Sequence, residues 1–103
     1  MFKITTGITV YENFVSVDTD NNPVVPATFD VAMYLDGDLY TGITITTSLE
    51  DASRGIYSAV WSADTYGTYQ FRIKNNNTRV IYMSDIYKAI SDEQASNVIY
   101  IGL

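Results

Sequence analysis

The chain contains no cysteine and no histidine. Without cysteine there is no disulfide to staple the fold, no thiolate for a metal and no thiol nucleophile. Without histidine, serine–histidine and cysteine–histidine catalysis are removed, and so are ordinary zinc sites. An enzyme built from these residues would need an acid pair or a Ser–Lys dyad, and no spacing in the chain singles out either. Charge is also scarce, at 17% of residues. Thr, Ser, Asn and Tyr must therefore supply much of the polar exterior. Six cations face twelve acids, for a net charge of −6. That balance speaks against nucleic-acid binding through phosphate neutralisation, although Arg72, Lys74 and Arg79 gather across one hairpin. No apolar run approaches a membrane span. Met1-Phe2-Lys3 leads into threonines and a glycine rather than the apolar core of a signal peptide. Small extracellular animal domains usually carry disulfides. The expectation is a whole gene product, bacterial or viral, that folds in a cytoplasm.

What is present is apolar and aromatic. At 47% hydrophobic and 14% aromatic residues, the chain is not intrinsically disordered. Its 103 residues bound one domain. Nine tyrosines exceed what one small interior can hold. Exposed tyrosines suit contact surfaces, because they join apolar area to a hydroxyl at low rotamer entropy.

The pattern of these residues has period two. Tyr57, Ala59 and Trp61 alternate along one run, and Tyr69, Phe71 and Ile73 along the next. Such alternation means strands with one buried face. Lys3 to Val17 reads as one or two strands, with Gly7 and Tyr11-Glu12-Asn13 as points of break or bulge. Asp18 to Pro23 is a turn. Phe29, Val31, Met33 and Leu35 face inward on a strand that ends at the Asp36-Gly37 hairpin. Leu39 and Tyr40 start its return, which Ile43 to Thr46 continues. Glu50 to Arg54 is a polar connection or one helical turn. Asn75-Asn76-Asn77 supplies the left-handed turn into a strand from Arg79 to Met83. The predicted fold is an all-β, immunoglobulin-like β-sandwich of about seven to eight strands over residues 1–87. Residues 88–103 form a C-terminal arm, with a helical turn at Ser91-Asp92-Glu93-Gln94 and a terminal strand Val98-Ile99-Tyr100-Ile101. That apolar strand pairs with a sheet edge, either its own or a neighbour's.

Candidates for chemistry are few. Asp18, Asp20 and Asn22 place oxygens at alternate positions, as a calcium loop does. They lack the glycine and distal glutamate of an EF-hand, and a solvated turn accounts for them. Asn76-Asn77-Thr78 has the form of a glycosylation sequon and reads as a turn. Trp61 and Tyr57 belong to the core by phase. Tyr69 sits at a corner position, where its hydroxyl reaches back to backbone near Ala63 or Asp64. Tyr34, Tyr40, Tyr66, Tyr82 and Tyr100 are candidates for outward contacts, together with Val98, Ile99 and Ile101. Tyr34 is the clearest, being out of phase with its core-facing neighbours. No residue is assigned to catalysis, a metal or a cofactor.

Several stretches resemble immunoglobulin-like domains of tailed-phage virion proteins. Asp18-Thr19-Asp20-Asn21-Asn22-Pro23-Val24 is similar to their Thr-Asp-x-x-Gly-x-Pro-Val turn, with an Asn pair where glycine is usual. Phe29 to Tyr40 resembles their x-Val-x-x-Tyr-x-Asp-Gly hairpin. Gly55-Ile56-Tyr57 and Ala63-Asp64-x-x-Gly67-Thr68-Tyr69 resemble their Gly-x-Tyr and Ala-x-x-x-Gly-x-Tyr strands. The likeness runs from Thr19 to Tyr87, and bacterial adhesin repeats share it. It implies an accessory structural protein of a phage particle, first of all a capsid auxiliary or decoration protein. Its expected partners are capsid, portal or fibre subunits, met in many copies in the virion. The alternative is a carbohydrate- or receptor-binding module of a fibre or surface protein.

Overall fold

Strand character follows from alternation most clearly at Thr9–Val15, where Val10, Glu12 and Phe14 are buried and Thr9, Tyr11, Asn13 and Val15 are exposed. The computed structural model describes residues 1–90. Nine strands follow in order: β1 (Phe2–Thr5), β2 (Thr9–Val15), β3 (Phe29–Leu35), β4 (Asp38–Tyr40), β5 (Thr46–Asp51), β6 (Ile56–Ser62), β7 (Gly67–Asn75), β8 (Ile81–Met83) and β9 (Tyr87–Ile90). One sheet has the order β1-β9-β7-β3-β4, with β8 also paired to β7; the other has the order β2-β6-β5. β1 runs parallel to β9, and the other pairs are antiparallel. The molecule is thus all-β with two sheets, and no helix occurs among the described residues.

The inward faces meet in an aromatic core. Tyr69 and Phe71 from β7 are fully buried, opposite Trp61 of β6. Phe29 lies edge-on to both Phe14 and Tyr57, with ring centroids 5.1 and 4.8 Å apart. Edge-to-face geometry favours such pairs beyond the area they bury. Hydrogen bonds close one end of the core. Asn75 donates through Nδ2 to Ser16 Oγ, and Thr78 Oγ1 donates to the Val17 carbonyl. These bonds tie the β7–β8 turn to the chain leaving β2.

Several local expectations need correction. The chain from Lys3 to Val17 forms two strands in different sheets, and β2 runs unbroken through Tyr11-Glu12-Asn13. Ile43 to Thr46 does not extend β4. Ile43 and Ile45 are half-buried and Thr44 is exposed, but this stretch carries the chain from one sheet to the other, and only Thr46 enters β5. A crossover that shields the core edge alternates just as a strand does. Glu50 and Asp51 belong to β5, so only Ala52 to Gly55 form a turn. In the asparagine turn the positive φ falls on Arg79, at 65°, and not on the asparagines. Asn75 instead ends β7 and accepts from the Asn77 and Thr78 amides through Oδ1. β9 spans position 87 and continues through Lys88, Ala89 and Ile90, so these three residues belong to the sheet. The remainder of the proposed arm, including Ser91 to Gln94 and Val98 to Ile101, lies outside the described residues.

Candidate functional site: grooves at the two sheet edges

Asp36 and Gly37 both take positive φ, 51° and 88°, as the tight hairpin between β3 and β4 requires. The return strand is short because of what Tyr40 does. Its hydroxyl donates to the Asp64 carboxylate, 2.9 and 2.8 Å from the two oxygens. That hydrogen bond, which holds the proton on the phenol, raises the Tyr40 pKa above its ordinary value; desolvation and then the Asp64 charge push the same way. The chain then passes so close over the ring that a Cβ on Gly42 would lie 2.6 Å from the Tyr40 hydroxyl. Beyond Tyr40 the backbone leaves the sheet.

β4 therefore covers only Met33, Tyr34 and Leu35 of β3. Among the described residues, Phe29 to Ala32 remain as a free edge beside the crossover. Hydrogen-bond direction alternates along an antiparallel strand. On β7 the Phe71 carbonyl accepts from Ser84, away from β3, while Thr68 accepts from the Asp36 amide on the β3 side. Thr68, Gln70, Arg72 and Lys74 thus bond toward β3, and their register partners include Ala32 and Tyr34. By the same alternation Phe29 and Val31 point their amides and carbonyls to the open side.

An open groove of about 590 Å³ lies along this edge, lined by Val31, Tyr34, Leu39, Tyr40, Ile45 and Arg72 among others. Arg72 stands on the outward face, between Ala32 across β3 and Met83 across β8. Ala32 offers no side-chain acceptor and Met83 only a weak thioether sulfur. Arg72 Nε is buried without a partner, and the guanidinium forms no salt bridge among the described residues.

A second groove, of about 410 Å³, opens at the other edge, where β1 and β2 approach; Phe2, Lys3, Tyr11, Asp85, Tyr87 and Glu12 line it. Glu12 is only 8% exposed. Both of its oxygens are engaged, by three donors in all. Tyr82 donates to Oε2 at 2.5 Å, Tyr87 donates to Oε1, and the Asp85 amide also donates to Oε1 at 3.3 Å. No cation is paired with it among the described residues. Both phenols are pushed well above the ordinary tyrosine pKa, first by burial and then by the hydrogen bond to Glu12. The cluster joins β2 of one sheet to β8 and β9 of the other.

The tyrosines expected to face outward fare differently. Tyr34 and Tyr40 come together in the β3–β4 groove, both half-buried. Tyr66 is 57% exposed on the corner before β7 and lines neither groove. Tyr82 turns inward to Glu12. Val98, Ile99, Tyr100 and Ile101 lie outside the described residues. Tyr69 donates to the Thr65 carbonyl at 3.0 Å, one residue beyond the expected backbone. Asp18 accepts from the Asp20 and Asn22 amides, and the Asn22 amide above all holds its carboxyl below the ordinary range. This turn is satisfied internally. No cluster of three or more acidic residues suited to a metal occurs among the described residues.

Glu12, Tyr87 and the unpaired state of Arg72 were not singled out from sequence. Glu12 did carry a signal: it is in phase with Val10 and Phe14, which places a carboxylate on the inward face of β2. No protein-family model, no curated protein and no solved structure matches the chain.

Proposed function

We propose that the protein is a non-enzymatic structural component of a phage virion, with an immunoglobulin-like sandwich that serves as a capsid auxiliary or decoration subunit. It would be made in the host bacterial cytoplasm and incorporated into the particle in many copies. The observation that carries this reading is where large apolar side chains stand. Tyr11 is 71% exposed on β2, and Val15, Leu39, Ile81 and Met83 are exposed on strands of both sheets. They belong to strands rather than loop tips, so the rigid part of the molecule presents them. Apolar groups on stiff strands, with few charges between them, suit docking against neighbouring subunits. Many weak contacts of this kind add through multiplicity. The motif resemblance supplies the phage assignment.

Peptide mass spectrometry of purified virions tests the reading. The protein should persist through density-gradient purification at a fixed ratio to the major capsid protein. Its absence from the particles overturns the assignment.

A further inference from the structure

We propose that the β3–β4 groove binds an extended segment of another protein, which adds as a strand along Phe29 to Ala32 and places a carboxylate side chain on Arg72. The inference deepens the docking reading above by assigning one surface and one ligand chemistry.

Two independent features meet at this groove. One is backbone: the chain leaves the sheet at Gly42, and Val31 is left with an outward amide and carbonyl and no neighbouring strand among the described residues. An open edge is a template for strand addition, and an extended segment satisfies both groups at once. The other is charge. Arg72 lines the same groove, and its buried Nε has no acceptor. A buried guanidinium nitrogen without a partner is costly; a carboxylate entering the groove pairs with the guanidinium by charge-assisted bonds, and the Arg72 side chain turns toward it to bring Nε out of its covered position. Ala32, directly across from Arg72, is too small to screen it from the edge. Leu39, Ile45 and the Tyr34 ring supply apolar walls for alternate side chains of the incoming strand.

The β1–β2 groove offers the contrast. Its buried charge is Glu12, and two tyrosine hydroxyls and one amide already occupy both oxygens. The unpaired guanidinium favours an acidic extended segment at β3, with its carboxylate near Ala32 and away from the exposed Asp30 on the same face. A nucleic acid offers no strand backbone to Val31.

The test uses the full chain and a yeast-displayed library of randomised nonapeptides. Selected peptides should alternate β-branched or aromatic residues and share one Asp or Glu. Titrating the best of them should shift the Val31 and Ala32 amide resonances first. Replacing its shared acid by the amide should weaken binding about tenfold, as should Arg72→Gln in the protein. The peptide substitution gives this readout even if Arg72→Gln fails to fold. Selection of basic peptides, of no consensus, or of ligands whose shifts centre away from β3 overturns the proposal. None of this depends on the virion: peptide binding can succeed where particle incorporation fails, and the reverse.

Discussion

The two edges of the molecule carry opposite solutions to the same problem. At the β1–β2 edge a carboxylate enters the interior and is fully met, with Tyr82, Tyr87 and the Asp85 amide donating to Glu12. At the β3–β4 edge a carboxylate and a tyrosine also meet, Asp64 with Tyr40, but in solvent. There the buried polar atom is Arg72 Nε, and nothing meets it. The first edge is latched from within. The second is held by a pair that water can replace, beside a free strand edge. Whether the buried charged group is met, more than its presence, separates the two edges; Trp61 Nε1, buried without a partner against Tyr87, is an uncharged exception in the core.

Glu12→Ala is the harshest test of this contrast. It strands two tyrosine hydroxyls and an amide in the interior and removes the link between the sheets. A loss of about 3–5 kcal/mol in urea unfolding is expected, a large share of the ~5–15 kcal/mol that stabilises a typical domain. Tyr87→Phe should cost less, about 1–2 kcal/mol, because Glu12 keeps its other two donors. Combined with Glu12→Ala the two should be strongly non-additive, since both remove the same Tyr87–Glu12 bond.

Alkaline pH probes the same cluster without mutation. The folded-state pKa values of Tyr82 and Tyr87 are raised above that of an unfolded tyrosine, about 10. The native state therefore keeps its protons while the unfolded chain loses them. Stability from this source is complete below about pH 10 and is lost as pH rises from there through the folded values. The slope should approach roughly 1.4 kcal/mol per pH unit for each tyrosine. Urea midpoints at pH 9 and pH 11 give the slope, and Tyr82→Phe should reduce it.

Tyr40→Phe should have the smallest effect. Its bond to Asp64 is exposed, and water replaces it at little cost. The melting temperature should stay within about 2 °C of the parent. A fall comparable to that of Tyr87→Phe would erase the distinction between the two edges.

Much of the scaffold was legible in the sequence, and the residues show why. β3, β6 and β7 announce themselves because one face of each is buried, and burial imposes period two; β2 has the same period, but its polar Tyr11-Glu12-Asn13 stretch reads as a break or bulge. The Asp36-Gly37 hairpin and the corner role of Tyr69 are local, so neighbouring residues are enough to reveal them. Glu12 was not legible as a latch because its hydroxyl partners lie 70 and 75 residues away. Period two placed its side chain inward without saying what would meet it. Tyr82 misled for the same reason, since phase within a three-residue strand is a weak guide. The short β4 and the groove beside it follow from Tyr40 reaching Asp64, 24 residues on, and from Gly42 crossing the ring. Ile43 to Thr46 has a strand's alternation but a crossover's path, and only the packing of two sheets tells these apart.

Residue-resolved amide hydrogen exchange tests the difference between the closed and open edges most directly. The Val31 amide should exchange at close to the rate of an unstructured chain, while Ala32 beside it and Phe71 on β7 exchange only through large-scale opening. Protection of Val31 equal to that of Phe71 in the isolated protein would mean that the β3 edge is already covered, and would contradict the account.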